Sequence, residues 1–143
     1  RERGRGAAAC GVGYAAIAAR EGIEALTFAA PAGLFGLFEA ETRRTRPIAA
    51  VVEGLAALQH ERTIACGITG TGNVAALAAR GKNGPTLWLA NLQEAPVQVR
   101  YEGAQFRFLR MIDAAAQAVE DVAEEPFPGK LLKLDSYAVA ILR

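Results

Sequence analysis

The chain has 143 residues, of which 52% are apolar and 22% charged, with a formal net charge of +1. That composition excludes a disordered chain, and the length is that of one ordinary domain. The near-zero charge gives no global attraction to nucleic acid or to a membrane surface. Two cysteines, Cys10 and Cys66, with no CxxC, HExxH or Cys/His cluster, exclude a disulfide framework and argue against a zinc site made by this chain alone.

In chain order, Ala7–Arg20 reads as a helix of very small residues, ending at Glu21–Gly22, where glycine can take the left-handed cap. Small residues let a helix approach a sheet or another helix closely. Ile23–Ala30 (IEALTFAA) reads as a short strand of the parallel, nearly all-apolar kind, stopped by Pro31. Residues 32–38 form a glycine-punctuated loop with two aromatics, and Arg43–Arg46 reads as a solvated turn. Pro47 suits the first turn of a second helix, whose Ile48, Val51, Val52, Leu55 and Leu58 recur at helical spacing through Gln59. Helix, strand, loop, helix is the repeat unit of an α/β protein. A piece of this size buries too little to stand alone, so it is expected to lean on the rest of the chain or on further chain upstream.

After His60 the period changes to alternation in twos. Thr63–Thr69, Val74–Arg80, Thr86–Leu92, Val97–Tyr101, Phe106–Ile112, Leu131–Leu134 and Tyr137–Leu142 read as strands, with turn signals between them. Asn83–Gly84 suits a tight hairpin turn. Val97–Tyr101 and Phe106–Arg110 alternate apolar with polar, as strands with one face in a core do. The pattern predicts an antiparallel sandwich. Ala114–Glu125, Ala-rich and acidic, reads as a short helix or a long excursion over one end of it.

Gly70–Thr71–Gly72–Asn73–Val74–Ala75 fits GxGxxA, the spacing that lets a dinucleotide pyrophosphate approach a helix N-terminus, with Glu94 as the nearest acidic residue for the ribose. The following run is too short for a crossover helix and leads into antiparallel strands, which favours a glycine-rich hairpin loop. His60, the single histidine, ends the second helix, where a cation suits the dipole. Ser136, the single serine, sits among apolar residues at a turn. Glu39 and Glu41 follow the apolar strand, on the side where an α/β barrel keeps its chemistry, and two carboxylates there suit acid–base work or a solvated loop. Phe28, Phe35 and Phe38 read as pocket or core aromatics. Both cysteines read as small buried hydrophobes, and Trp88, on an apolar strand, as a sandwich core residue.

Gly22–Phe28, Gly33–Gly36 and Arg46–Pro47–Ile48 opening a last helix resemble the eighth βα unit of a (β/α)8 barrel of glycosidase type. Val74–Ala78, Thr86–Leu92 (TLWLANL), Pro96–Val99 and Leu134–Ala140 are similar to the β-sandwich that follows such barrels. Among families of this build the chain resembles most the D-apionate lactonases, which themselves resemble glycoside hydrolases.

The resemblance implies an α/β fragment, the last βα unit of a TIM barrel over residues 1–60, followed by an all-β antiparallel sandwich over 61–143. It implies the C-terminal part of a sugar-acid lactonase, with a glycoside hydrolase as the alternative. A nucleotide-binding piece built on Gly70–Ala75 and a non-catalytic sugar- or partner-binding module are the rival readings. Acid and nucleophile of a glycosidase-type barrel come from strands four and seven, which lie outside this chain, so no catalytic residue is carried over. Thr27–Phe38 would lie nearest the substrate, with Phe28, Phe35 and Glu39 as the candidate substrate-binding residues. A small sugar acid or carbohydrate is the implied substrate. No cofactor, metal, nucleic acid or membrane is implied, and a cytoplasmic location is the default expectation.

Overall fold

The computed structural model describes residues 3–28, 30–32, 36–113, 115–116 and 118–143. Helix α1 spans Arg3–Arg20 and α2 spans Pro47–Ala56. The strands are β1 (Arg62–Ile64), β2 (Val74–Gly81), β3 (Gly84–Asn91), β4 (Val97–Arg100), β5 (Phe108–Ile112), β6 (Glu124–Pro126), β7 (Leu131–Leu134) and β8 (Val139–Leu142). Six of them form one antiparallel sheet in the order β1-β2-β3-β8-β5-β6, and β4 and β7 form a two-stranded sheet.

The layers follow from side-chain alternation. On β3, Trp88 and Ala90 enter the core shared with the helices, while Leu87 and Leu89 enter the core under the small sheet. On β8, Val139 and Ile141 face the helices, and Ala140 and Leu142 face the small sheet. The six-stranded sheet is thus covered on both sides at its centre. This is why TLWLANL is apolar almost throughout, although its neighbours run antiparallel: a strand buried on both faces has no position left for a polar residue. On β7, covered on one face only, Leu132 and Leu134 are buried while Leu131 and Lys133 are exposed.

Helix α1 ends as its sequence predicts. Gly22 takes φ +70, the Ile23 N–H donates to Ala18 O at 2.9 Å and the Gly22 N–H to Ala19 O at 3.4 Å. Together these bonds make a Schellman cap. The small residues of α1 are what bring it close. A methyl group on Gly11 would lie 3.5 Å from Val51 Cγ1 of α2 and 3.7 Å from the Phe28 ring. Ala8, Ala9 and Val12 are fully buried there. Pro47 stands in the first turn of α2, where a missing N–H costs nothing. Across from α2, the Trp88 indole lies directly on Gly54, with Cζ2 2.8 Å from where a Cβ would stand. Trp88 is therefore core, as expected, but between sheet and helices rather than between sheets. The helical piece leans on the β piece through this contact.

Three sequence expectations are corrected. Residues 23–28 form no strand: they carry no ladder, and Ile23 and Leu26 are about half exposed at 53% and 42%. A parallel barrel strand needs a neighbour on each edge to satisfy its backbone, and among the described residues no strand runs alongside it. The strand expected over Thr63–Thr69 is realised only as β1, with residues 65–69 exposed and unpaired in any sheet. Cys10 and Cys66 are exposed and free rather than buried.

The β2–β3 hairpin forms at the expected place, with Gly81 paired to Gly84 across Lys82–Asn83. Gly84, at φ +101, carries the left-handed residue, so the glycine sits just after the two-residue turn. The described residues between 113 and 123 form an excursion with one 3-10 turn at Val119–Asp121. The Asp121 carboxylate accepts from the Ala118 N–H at 2.9 Å, and the Val119 N–H reaches Thr45 O at 3.2 Å, tying the excursion to the loop before α2.

Candidate functional site

The loop after the apolar segment is where a barrel would place its chemistry. Phe38 makes bridges to Ala32 and to Thr45, and the Arg46 N–H donates to Leu37 O at 2.8 Å, so the chain folds back on itself just before α2. Arg46 Nη1 adds a bond to Gly36 O at 3.2 Å. At the tip, the Glu39 N–H donates to Arg44 O and the Arg43 N–H to Glu39 O, both at 2.9 Å, with Arg43 at φ 56. The Thr42 hydroxyl donates to the Glu39 carboxylate at 2.6 Å, and the Arg44 N–H donates to the same hydroxyl at 3.3 Å. Glu39 is thus half-buried and oriented by its own turn, with one carboxylate oxygen left over for another donor.

Of the three expected site residues, Phe28 and Glu39 fall among those described. Glu39 sits in that turn. Phe28 is half-buried with its ring against Gly11 of α1, on the helix side. Phe35 lies outside the described residues. Glu41 is exposed, and Phe38 is 44% exposed. His60 is exposed at φ 68, where it turns the chain out of α2 toward β1. Ser136 lies in the β7–β8 turn beside Tyr137 at φ 52. Neither has a catalytic partner among the described residues, and no group of three or more metal-ligating side chains occurs among them.

The dinucleotide alternative fails on the backbone. Val74 opens a strand, not a helix, and pairs with Asn91. The Leu92 N–H donates to Asn73 O at 2.8 Å, and the Asn73 N–H to Gln93 Oε1 at 3.0 Å, closing the ladder at the position where a helix N-terminus would be needed. A Cβ on Gly72 would lie 2.9 Å from Val97 Cγ2, so this glycine packs against β4 instead of opening toward a phosphate.

Two features escaped the sequence reading. The first is a groove of about 810 Å³ between α1, residues 63–68 and β2, walled by Tyr14, Ile17, Ile64, Ile68 and both cysteines. Partial desolvation at its wall pushes the Cys66 thiol up from its ordinary value, which favours its protonated form. The groove holds no histidine or carboxylate, so it suits apolar contact and not acid–base chemistry. Exposure of Ile64 and Ile68 was hidden in the sequence because the strand pattern assumed a covered face.

The second is Asn91, fully buried at the end of β3. Its Nδ2 donates to Ala95 O at 2.9 Å and Asp135 O at 3.0 Å, with Leu134 O at 3.3 Å. Its Oδ1 accepts from the Gln93 N–H at 3.2 Å. One polar side chain thus joins two turns, β3–β4 and β7–β8, at one end of the sandwich. Its signal in the sequence was an asparagine set inside an otherwise apolar run.

A helix–loop–helix element of α/β type packed on an antiparallel, immunoglobulin-like double sheet defines the class: the junction between a barrel and its following β-domain. Residues 71–142 match the D-apionate lactonase C-terminal immunoglobulin-like domain, and residues 1–60 match the D-apionate lactonase TIM barrel domain. The chain belongs to the D-apionate lactonase family. Among solved structures it is similar to the glycoside hydrolase family 30 subfamily 8 xylanase of Clostridium acetobutylicum. That likeness has a TM-score of 0.58 at 13% identity and covers 92% of this chain and 38% of the xylanase. A GH30 endoxylanase of Clostridium papyrosolvens gives a TM-score of 0.50 at 14% identity, over 68% of this chain and 27% of that one. The chain thus spans well under half the length of either structure. None of the curated proteins matches it. No helix among the described residues is long and apolar enough to cross a membrane.

Proposed function

We propose that this chain is the C-terminal part of a carbohydrate-acting hydrolase of the sugar-acid lactonase type. In this reading residues 1–60 complete a barrel and residues 61–143 buttress it. The observation that carries the reading is the order of the two family matches on one chain, barrel first and immunoglobulin-like domain second. It is supported by the way α1 and α2 bury against the six-stranded sheet through Trp88. The substrate is a small sugar-acid lactone. Phe28, Phe35 and Glu39 are the residues of this chain expected nearest to it, since a barrel carries its chemistry on the loop that follows the eighth-strand position. Catalytic groups lie on other barrel strands, and the buttress acts by fixing the last βα unit in position.

The test compares three preparations: the full parent protein, the parent without residues 61–143, and this chain alone. Hydrolysis of D-apionate lactone is followed by titration of released acid. The full parent should turn over, and the truncated parent should lose most of its activity together with its thermal stability. Turnover by this chain alone would refute the reading. A full parent that cleaves xylan and leaves the lactone intact would move the assignment to the glycoside hydrolase alternative.

A further inference from the structure

A pocket of about 390 Å³ lies where the run leading into β5 meets the β6–β7 connection. Its floor is aromatic. The Tyr101 and Phe106 rings meet edge to face at 5.2 Å, and both residues are buried. Phe127, half-buried, closes one side.

The walls are tied down by backbone bonds. The Phe127 N–H donates to Arg107 O at 2.8 Å, and the Tyr101 N–H to Lys130 O at 3.1 Å. The Tyr101 hydroxyl donates to Gly129 O at 2.7 Å. Gly129 lies under the Phe127 ring, whose Cζ would be 3.3 Å from a Cβ placed there. Prolines 126 and 128 stiffen the same connection by fixing φ. The pocket is therefore pre-formed, which spares a ligand the cost of ordering it.

The rim is cationic. Arg107 and Lys130 both line the pocket, with the Gln105 amide, and no aspartate or glutamate does. Neither cation has a carboxylate partner among the described residues, in contrast to Arg143, which pairs with Glu124. Two uncompensated cations over an aromatic floor form a site with two demands. It wants an anion that a guanidinium can grip with two parallel N–H bonds. It also wants a flat body whose C–H edges meet the electron-rich ring faces. The volume lies at the small end of the usual range for ligand pockets.

We propose that this pocket binds a cyclic carboxylate of monosaccharide size, with the carboxylate held by Arg107 and Lys130 and the ring lying against Phe127. The site is independent of the lactonase reading, since none of its residues belongs to the barrel segment. A saccharide ring and a plain hydrocarbon ring both satisfy the chemistry, and the probes separate them.

The full chain is titrated with sodium D-glucuronate and with sodium cyclohexanecarboxylate, at fixed ionic strength, by calorimetry and by amide shifts of residues 101–107 and 126–130. Sodium acetate supplies the charge without the ring, and D-glucose the ring without the charge. Saturable binding of at least one cyclic carboxylate is expected, at least tenfold tighter than acetate or glucose. Arg107→Gln and Phe127→Ala should each weaken it tenfold or more. The exposed Arg107 makes its variant safe for folding, and the amide spectrum verifies this. The proposal is overturned if neither cyclic carboxylate saturates, if acetate or glucose binds equally well, or if Arg107→Gln leaves the affinity unchanged.

Discussion

Residues 23–28 and strand β3 are written in nearly the same alphabet and meet opposite fates. IEALTF and TLWLAN are both short, apolar and rich in strand-formers. The second lies between β2 and β8, with a core on each face. The first has no sheet neighbour, and most of its side chains face water. Strand propensity measures how well a side chain fits a pleated, covered surface. Where the chain supplies neighbours the strand appears, and where neighbours would have to come from other barrel strands it does not. The comparison also shows which part of this chain carries its stability.

The sharpest way to break that contrast is Trp88→Ala. The side chain is 3% exposed and rests on Gly54 of α2. Its removal should cost about 3–5 kcal/mol, the usual loss for a large aromatic in a core, read as a fall in the urea midpoint by far-ultraviolet circular dichroism. A stability of 5–15 kcal/mol is normal for a domain, so the loss is a large fraction of the whole. A cost below about 1 kcal/mol would mean that the helices do not lean on the sheet.

Asn91→Ala should come next. It leaves the buried carbonyl of Leu134 and the ends of two turns without their donor, at about 1–3 kcal/mol. Leu at the same position should be no better, because the lost groups are backbone acceptors and not apolar area. Rescue by leucine would show that Asn91 acts by volume alone.

The sheet was legible in the sequence where local signals and neighbours agree. Asn83–Gly84 marked the β2–β3 turn, Gly22 the end of α1 and Pro47 the start of α2, each because the residue type restricts the backbone directly. The unpaired segments were not legible. Alternation in residues 63–69 and the apolar run at 23–30 report a preference for burial, and only the three-dimensional neighbours decide whether burial occurs. The candidate site was read less well than the fold. Glu39 was singled out for its place after an apparent strand, yet its orientation comes from Thr42, three residues on. The rim of Arg107 and Lys130 was invisible, because the two cations are far apart in sequence and only the fold brings them to one pocket.

Leu26→Ser tests the quiet side of the comparison. Leu26 is 42% exposed with no strand partner, so the substitution should change stability by no more than about 0.5 kcal/mol, as exposed positions do. Amide hydrogens of residues 24–28 should exchange many times faster than those of β3, whose bonds open only with the sheet. Slow exchange at 24–28 in the isolated chain would mean that a second copy or another segment pairs with it.

The smallest effect is expected at the far edge of the same sheet. Glu124 on β6 pairs with Arg143 at the end of the chain. The Arg143 hydrogen bond, with the charges of Arg143 and Arg110, holds the Glu124 carboxyl below its ordinary value. A carboxylate with a lowered folded-state value binds its proton more weakly in the fold than in the unfolded chain. Its stabilising contribution is therefore complete above the ordinary glutamate range and is lost as the pH falls through the lowered value. The Arg143 side chain is 54% exposed and that of Glu124 28%, so solvent screening keeps the effect small. Wild-type protein and Glu124→Gln should differ slightly in urea midpoint at pH 7, and the difference should shrink as the pH falls through the lowered value and shrink in high salt. A difference that grows on acidification would reverse the sign and remove the ion pair from the account of this edge. If it stays constant with pH, the cause would be β6 packing and not charge.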